Sequence, residues 1–116
     1  RSRTIEKYLE LHQGDDTVFR LEVLDSDRSA KNLTGFTGRA KFKKTYSTSD
    51  SSTHSFTVNI PTPQTNGFLD LVLDGTTSDD IKAGRYLYDV FLLKDSSSEK
   101  ILEGTLEIFP SATSIT

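Results

Sequence analysis

Asp80-Ile81-Lys82-Ala83-Gly84-Arg85-Tyr86-Leu87-Tyr88-Asp89-Val90 is a polar turn that closes on glycine and opens at once into a run of aromatic and branched residues. A chain crosses between the sheets of a β-sandwich in this way, and a tyrosine just past the corner can return its hydroxyl to the preceding backbone. Tyr86 is placed for that role. Tyr88, two residues on, is expected to point into the core.

Working outward, the dominant period is two, the period of a strand. Ile5, Leu9 and Leu11 share a face in Thr4 to His12, as do Phe19, Leu21 and Val23 in Thr17 to Asp25. From Phe36 to Tyr46, Phe36, Ala40, Phe42 and Tyr46 alternate with Thr37, Arg39, Lys41 and Lys43. Phe56, Val58 and Ile60 form a fourth run, Leu69, Leu71 and Leu73 a fifth, Tyr86 to Leu93 a sixth, and Ile101 to Phe109 a seventh. Turn chemistry separates them: Asp25-Ser26-Asp27-Arg28-Ser29, the Ser-rich stretch Ser47 to Ser55, Pro61 to Gly67, and Asp95-Ser96-Ser97-Ser98. Thr77 to Ala83 has room for one helical turn, with Thr77 or Ser78 as N-cap and Gly84 in the left-handed position after it. About seven short antiparallel strands with one short helical turn predict an all-β, immunoglobulin-like β-sandwich. A small closed barrel is the competing architecture. Residues 1–116 read as a single domain, with 111–116 a small polar tail.

Composition narrows the function. There is no Cys, so neither a disulfide nor a thiolate metal site is available. A net charge of −3 argues against bulk nucleic-acid binding. No apolar stretch approaches the length of a membrane span. Arg1-Ser2-Arg3-Thr4 is not followed by an apolar segment, so no signal peptide is expected.

Candidate chemistry is thin. Asp25, Asp27 and Ser29 have the opening spacing of a calcium loop, but its sixth and twelfth positions hold Ala30 and Phe36 where Gly and a bidentate Glu are needed. An Asp-rich turn is the expectation. Asp15-Asp16 and Asp79-Asp80 are acidic pairs beside turns, expected to be solvated rather than to converge as a hydrolase requires. His12 and His54 have no ligand at metal spacing, and no Ser elbow or phosphate loop is present. No catalytic residue, metal site or cofactor is expected. Arg39, Lys41, Lys43 and Lys44 form a basic ridge, which reads as a solvated strand face. Asn32-Leu33-Thr34 matches a glycosylation sequon and reads as coincidence.

Two runs are apolar on both faces. Leu87, Phe91 and Leu93 lie opposite Tyr86, Tyr88, Val90 and Leu92; Phe68 and Val72 lie opposite the leucines of the fifth run. The outer face of a two-layer fold is ordinarily polar. Two readings stand for these side chains: a docking surface for another protein chain, or cover by the N-terminal strand or the Ser-rich loop.

The order of motifs resembles a family of small immunoglobulin-like modules in tailed-phage virion proteins. The N-terminal domain of the upper baseplate protein of lactococcal phages belongs to that family. The matching stretches are Gly14-Asp15-Asp16-Thr17-Val18-Phe19, Asn32-Leu33-Thr34-Gly35, Gly38-Arg39-Ala40-Lys41-Phe42, Gly67-Phe68-Leu69-Asp70-Leu71, Gly84-Arg85-Tyr86-Leu87-Tyr88-Asp89, and Leu102-Glu103-Gly104-Thr105-Leu106-Glu107-Ile108-Phe109-Pro110. Asn32 stands where the family usually has Asp, and the Ser-rich stretch is an insertion. The resemblance implies a non-enzymatic structural component of a phage particle, in the tail or baseplate, assembled in the host cytoplasm and acting through protein–protein contacts. From the corner and strand patterns, Gly84, Tyr86, Tyr88 and Gly104 are the expected structural positions, and the doubly apolar run makes Leu87, Phe91 and Leu93 the candidate partner interface. The partners that the resemblance implies are other virion structural proteins, with self-association in a symmetric array left open. A carbohydrate-binding module for host surface glycans is the alternative, weakened by the absence of Trp as a stacking platform. A capsid or neck decoration protein is another.

Overall fold

A computed structural model describes residues 4–44 and 53–111. Tyr46, the Ser-rich stretch up to Ser52, and the tail beyond Ser111 lie outside the described residues. The elements are β1 (Ile5–Glu6), β2 (Leu9–His12), β3 (Thr17–Glu22), β4 (Thr37–Lys43), β5 (His54–Asn59), a 3₁₀ turn (Gln64–Asn66), β6 (Phe68–Leu73), α1 (Gly75–Asp79), β7 (Gly84–Lys94) and β8 (Ser97–Phe109). The chain is all-β, with almost no helix.

The strands form one continuous curled sheet in the order β1-β8-β7-β4-β5-β6-β3, with β2 following β1 along β8. The turn of the sheet is made by β5. Its first half pairs with β4 (Ala40 opposite Phe56, Phe42 opposite His54), and its second half pairs with β6 (Thr57 opposite Val72, Asn59 opposite Asp70). Ser55 and His54 therefore belong to a strand, not to the expected Ser-rich loop.

The interior is filled from alternate positions, as the period of two requires. Tyr86, Tyr88, Val90 and Leu92 from β7 meet Leu69, Leu71 and Leu73 from β6, Ala40 and Phe42 from β4, and Leu106 and Ile108 from β8. Phe42 sits among other rings, 5.1 Å from Phe56 and edge-on to Tyr86 at 5.5 Å, within the range where aromatic pairs attract. The β7–β8 ladder slips between Val90 and Phe91, which face Leu102 and Lys100. Ile101 is the extra residue of this bulge, and so two consecutive residues, Ile101 and Leu102, are both buried. Leu33, in the long loop before β4, is fully buried although no strand carries it.

Four expectations need correction. The strands are not all antiparallel, because β1 and β2 run parallel to β8. Hydrophobic alternation sets which face a strand buries and carries no information on its direction. Ile5 does not share the burial of Leu9 and Leu11; it is 60% exposed, because it borders the open side of the curled sheet. The helical turn begins earlier than Thr77. Asp74 is its N-cap, accepting from the Thr77 amide at 2.7 Å, and this bond holds the Asp74 carboxyl below its ordinary range. Gly84 does not end that turn in the left-handed helical conformation. It opens β7 with φ of 145°.

Candidate functional site

The outward face of β4, β7, β8 and β1/β2 carries the three residues expected to meet a partner. Leu87 lies between Lys43 and Thr105, Phe91 between Arg39 and Lys100, and Leu93 between Thr37 and Ser98. All three are half-buried, and none belongs to the core cluster. Asp89, between Lys41 and Glu103, interrupts the row.

Phe91 is flanked by cations. The Arg39 guanidinium is 5.4 Å from the ring centroid and the Lys100 ammonium 5.8 Å. Both are within cation–π range, and Lys100 is also tied to Glu103 at 3.2 Å. The basic ridge thus covers apolar surface. Arg39 lies over Phe91, and Lys44 lies 4.6 Å from the Tyr86 ring. At the other end of the sheet, Arg20 does the same for Phe68 at 5.3 Å. Sequence reasoning missed these pairs because they depend on cross-strand register.

Four positions expected to be structural lie at the corner and at the N-terminal crossing under this face. The Tyr86 hydroxyl donates to the Lys82 carbonyl at 2.6 Å across the corner. The Tyr88 hydroxyl donates to the Lys7 carbonyl, also at 2.6 Å. Lys7 lies between β1 and β2, where its amide donates to the Glu103 carbonyl at 3.0 Å. Here Gly104 lets the chain pass, since a Cβ on it would collide with the Lys7 backbone oxygen. At Gly84 a Cβ would meet the end of the Lys44 side chain. Burial pushes the Tyr88 phenol up to about 12 and raises that of Tyr86.

Beside the face lies an exposed polar cluster. The Tyr8 hydroxyl donates its one proton to Glu107 Oε1 at 2.6 Å and lies 3.1 Å from Glu10 Oε2, and Arg85 meets Glu107 at 3.3 Å. Tyr8 and then Arg85 hold the Glu107 carboxyl below its ordinary range, while the bond to Glu107 raises the Tyr8 phenol.

The other candidate chemistry resolves into backbone structure. Asp27 accepts from both the amide and the hydroxyl of Ser29, bonds that lower its pKa. Asn32 does the same for Thr34. The two acidic pairs do come together. Asp15, Asp16, Asp79 and Asp80 line one depression of about 560 Å³ between the β2–β3 turn and α1. Asp16, however, accepts the Gly75 amide at 2.6 Å, and the buried Ser78 hydroxyl accepts the Gly14 amide at 3.0 Å. These bonds fasten α1 to the turn. His12 packs on Phe109, and His54 on Phe42. Among the described residues, no three acidic, His or Cys side chains are grouped to hold a metal ion, and no helix is long and apolar enough to cross a membrane.

No family model and no curated protein matches this chain. Among solved structures, it shares its fold with the N-terminal domain of phage TP901-1 ORF48. That likeness has a TM-score of 0.51 and 14% sequence identity, and it covers 90% of this chain and 85% of the other.

Proposed function

We propose that this chain is a non-enzymatic structural component of a tailed-phage virion, placed in the tail or baseplate and acting through contacts with other virion proteins. One observation carries the reading: the fold likeness to a phage protein domain runs almost the full length of both chains. The order of sequence motifs independently resembles modules of tailed-phage particles. Residues 1–116 are then one domain. We read its curled sheet as an immunoglobulin-like sandwich, with β2-β8-β7-β4 as one layer, β3-β6 as the other, and β5 as the strand that passes between them.

In this reading Gly84, Tyr86, Tyr88 and Gly104 hold a rigid frame. The half-buried side chains of Leu87, Phe91 and Leu93 supply the apolar part of a contact. The surrounding Arg39, Lys41, Asp89, Lys100 and Glu103 supply its polar rim, the usual arrangement of a non-obligate interface. The test is mass spectrometry of purified particles from the source phage. The chain should be present in a fixed ratio to the other tail proteins. Its absence from particles, with abundance in the infected-cell lysate, would refute the proposal.

A further inference from the structure

The curled sheet is open on one side, between its end strands β1 and β3, and β3 presents the longer free edge, Thr17–Glu22. This strand pairs with β6 and with no other strand among the described residues. The direction of its free backbone groups follows from Val23, whose amide donates to Gly67 at 2.8 Å and whose carbonyl accepts from Lys31 at 2.9 Å. Both bonds lie on the β6 side. Because peptide groups alternate along an antiparallel ladder, Val18, Arg20, Glu22 and Leu24 turn theirs toward the free edge. The side chains of the same residues point outward. Val18 is 58% exposed and Leu24 40% exposed, two of the few large apolar side chains left that open. A groove of about 230 Å³ follows this edge, bordered by Ile5 and Ile101.

We infer that the β3 edge pairs antiparallel with the β3 edge of a second copy, about a two-fold axis through Leu21. In that register Leu21 faces Leu21, Arg20 faces Glu22, Val18 faces Leu24, and Phe19 faces Val23 of the second copy. Every apolar residue meets an apolar one, and both charged pairs are of opposite sign. Residues whose backbone groups point out face one another, so the ladder closes with hydrogen bonds. Shifting the second copy by two residues places Arg20 opposite Arg20 in one direction and Glu22 opposite Glu22 in the other. Like charges directly opposite are destabilising in a sheet, so charge selects the register.

The rows also continue into the molecule. Val18 is already opposite Val72, so Leu24 of the second copy extends an apolar row. Arg20 is already bidentate to Asp70 at 2.8 and 2.9 Å, and its remaining donors are available to Glu22 of the second copy. Charged side chains on an edge strand normally discourage pairing. Here their spacing discourages every nearby register but one. The interface is isologous, as a two-fold contact must be. It is separate from the face bearing Leu87, Phe91 and Leu93, and it does not depend on the virion reading.

The native chain has no cysteine, so a single Leu21→Cys substitution tests the axis. A non-hydrogen-bonded antiparallel pair has Cα atoms about 4.5 Å apart, within disulfide reach. Mild oxidation should give a disulfide-linked dimer of the full chain. If Leu21→Cys does not fold, mixing Val18→Cys with Leu24→Cys chains should give the mixed dimer in preference to either homodimer. Sedimentation of the wild type should show a monomer–dimer equilibrium, and Glu22→Arg should raise its dissociation constant about tenfold or more. Three results would overturn the inference: a wild type that stays monomeric up to about 1 mM, the range of a weak contact; a dimer that neither cross-links at these positions nor responds to Glu22→Arg; or a monomer whose β3 edge instead takes a strand from a different protein.

Discussion

The Tyr88 hydroxyl donates to the Lys7 carbonyl at 2.6 Å across 81 residues of sequence. This bond joins the centre of β7 to the gap between β1 and β2. It adds a side-chain bond to the ladder and the buried Leu9 and Leu11 that hold the N-terminal segment, running parallel to β8, to the core. Tyr86 makes the corresponding local bond to Lys82, four residues back. One tyrosine closes a corner and the next closes the edge of the sheet.

Tyr88→Phe should destabilise the domain by about 1–3 kcal/mol, because a partly buried carbonyl loses its donor. Tyr86→Phe should cost roughly 0.5–1.5 kcal/mol, the net value of an ordinary hydrogen bond. Denaturant melts measure both. Overlap of the Tyr88→Phe melt with wild type would mean that the bond to Lys7 contributes nothing to holding the N-terminal segment.

The Tyr88 phenol also sets an alkaline limit. Burial raises it from its ordinary 10 to about 12. A raised pKa in the folded state means that the unfolded chain releases the proton first. The stabilisation is complete below pH 10 and is lost as the pH rises from 10 toward 12. Tyr86 shifts in the same direction from the same cause. Stability measured across this range should fall with pH in the wild type and fall less in Tyr88→Phe.

Gly104→Ala and Gly84→Ala should differ. At Gly104 the obstacle is the Lys7 backbone, which cannot move without breaking the β1–β8 contact. The cost should be about 2 kcal/mol or more, in the range of overpacked core positions. At Gly84 the obstacle is the flexible end of Lys44 at 2.6 Å, so the cost reduces to that of the backbone conformation, about 1 kcal/mol. Thermal melts of the two variants rank them, and equal losses would contradict the role given to Lys7.

Much of this is visible in the sequence, and the remainder is hidden for physical reasons. Tyr86, Tyr88, Val90 and Leu92 lie inward because a strand alternates, and alternation is local. The parallel pairing of β1 and β2 with β8 is not local. Nothing between Ile5 and His12 distinguishes one strand direction from the other. Thr77 and Ser78 are competent N-caps by residue type, but Asp74 is equally so, and the end of β6 at Leu73 decides for Asp74. The cations over Phe91 and Phe68 follow from pairing register, which one sequence does not specify. The meeting of the two acidic pairs likewise needs the β2–β3 turn to pack on α1. The candidate interface was legible as surplus apolar residues, but its rim was not.

Phe91→Asp combined with Leu93→Ser should leave the domain folded. Both residues lie outside the core cluster, and the loss should be about 1–2 kcal/mol, mostly from the contacts of Phe91 with Arg39 and Lys100. The variant should be recovered from cells in normal amounts and be missing from assembled particles. Failure to fold would place these residues in the domain's own core; normal incorporation would remove them from the interface.

Calorimetric titration with calcium should give no saturable submicromolar binding. Asp27, in the turn that opens like a calcium loop, is committed to Ser29, and Asp16, in the acidic depression, to the Gly75 amide. Tight saturable binding would mean that these carboxylates exchange their backbone partners for an ion.

The most direct test of the central claim is a density map of the intact particle. The account predicts a curled eight-stranded domain in the tail or baseplate, oriented so that Leu87, Phe91 and Leu93 lie against another virion protein. Particles complete in every tail and baseplate component, with no density of this shape, would contradict it.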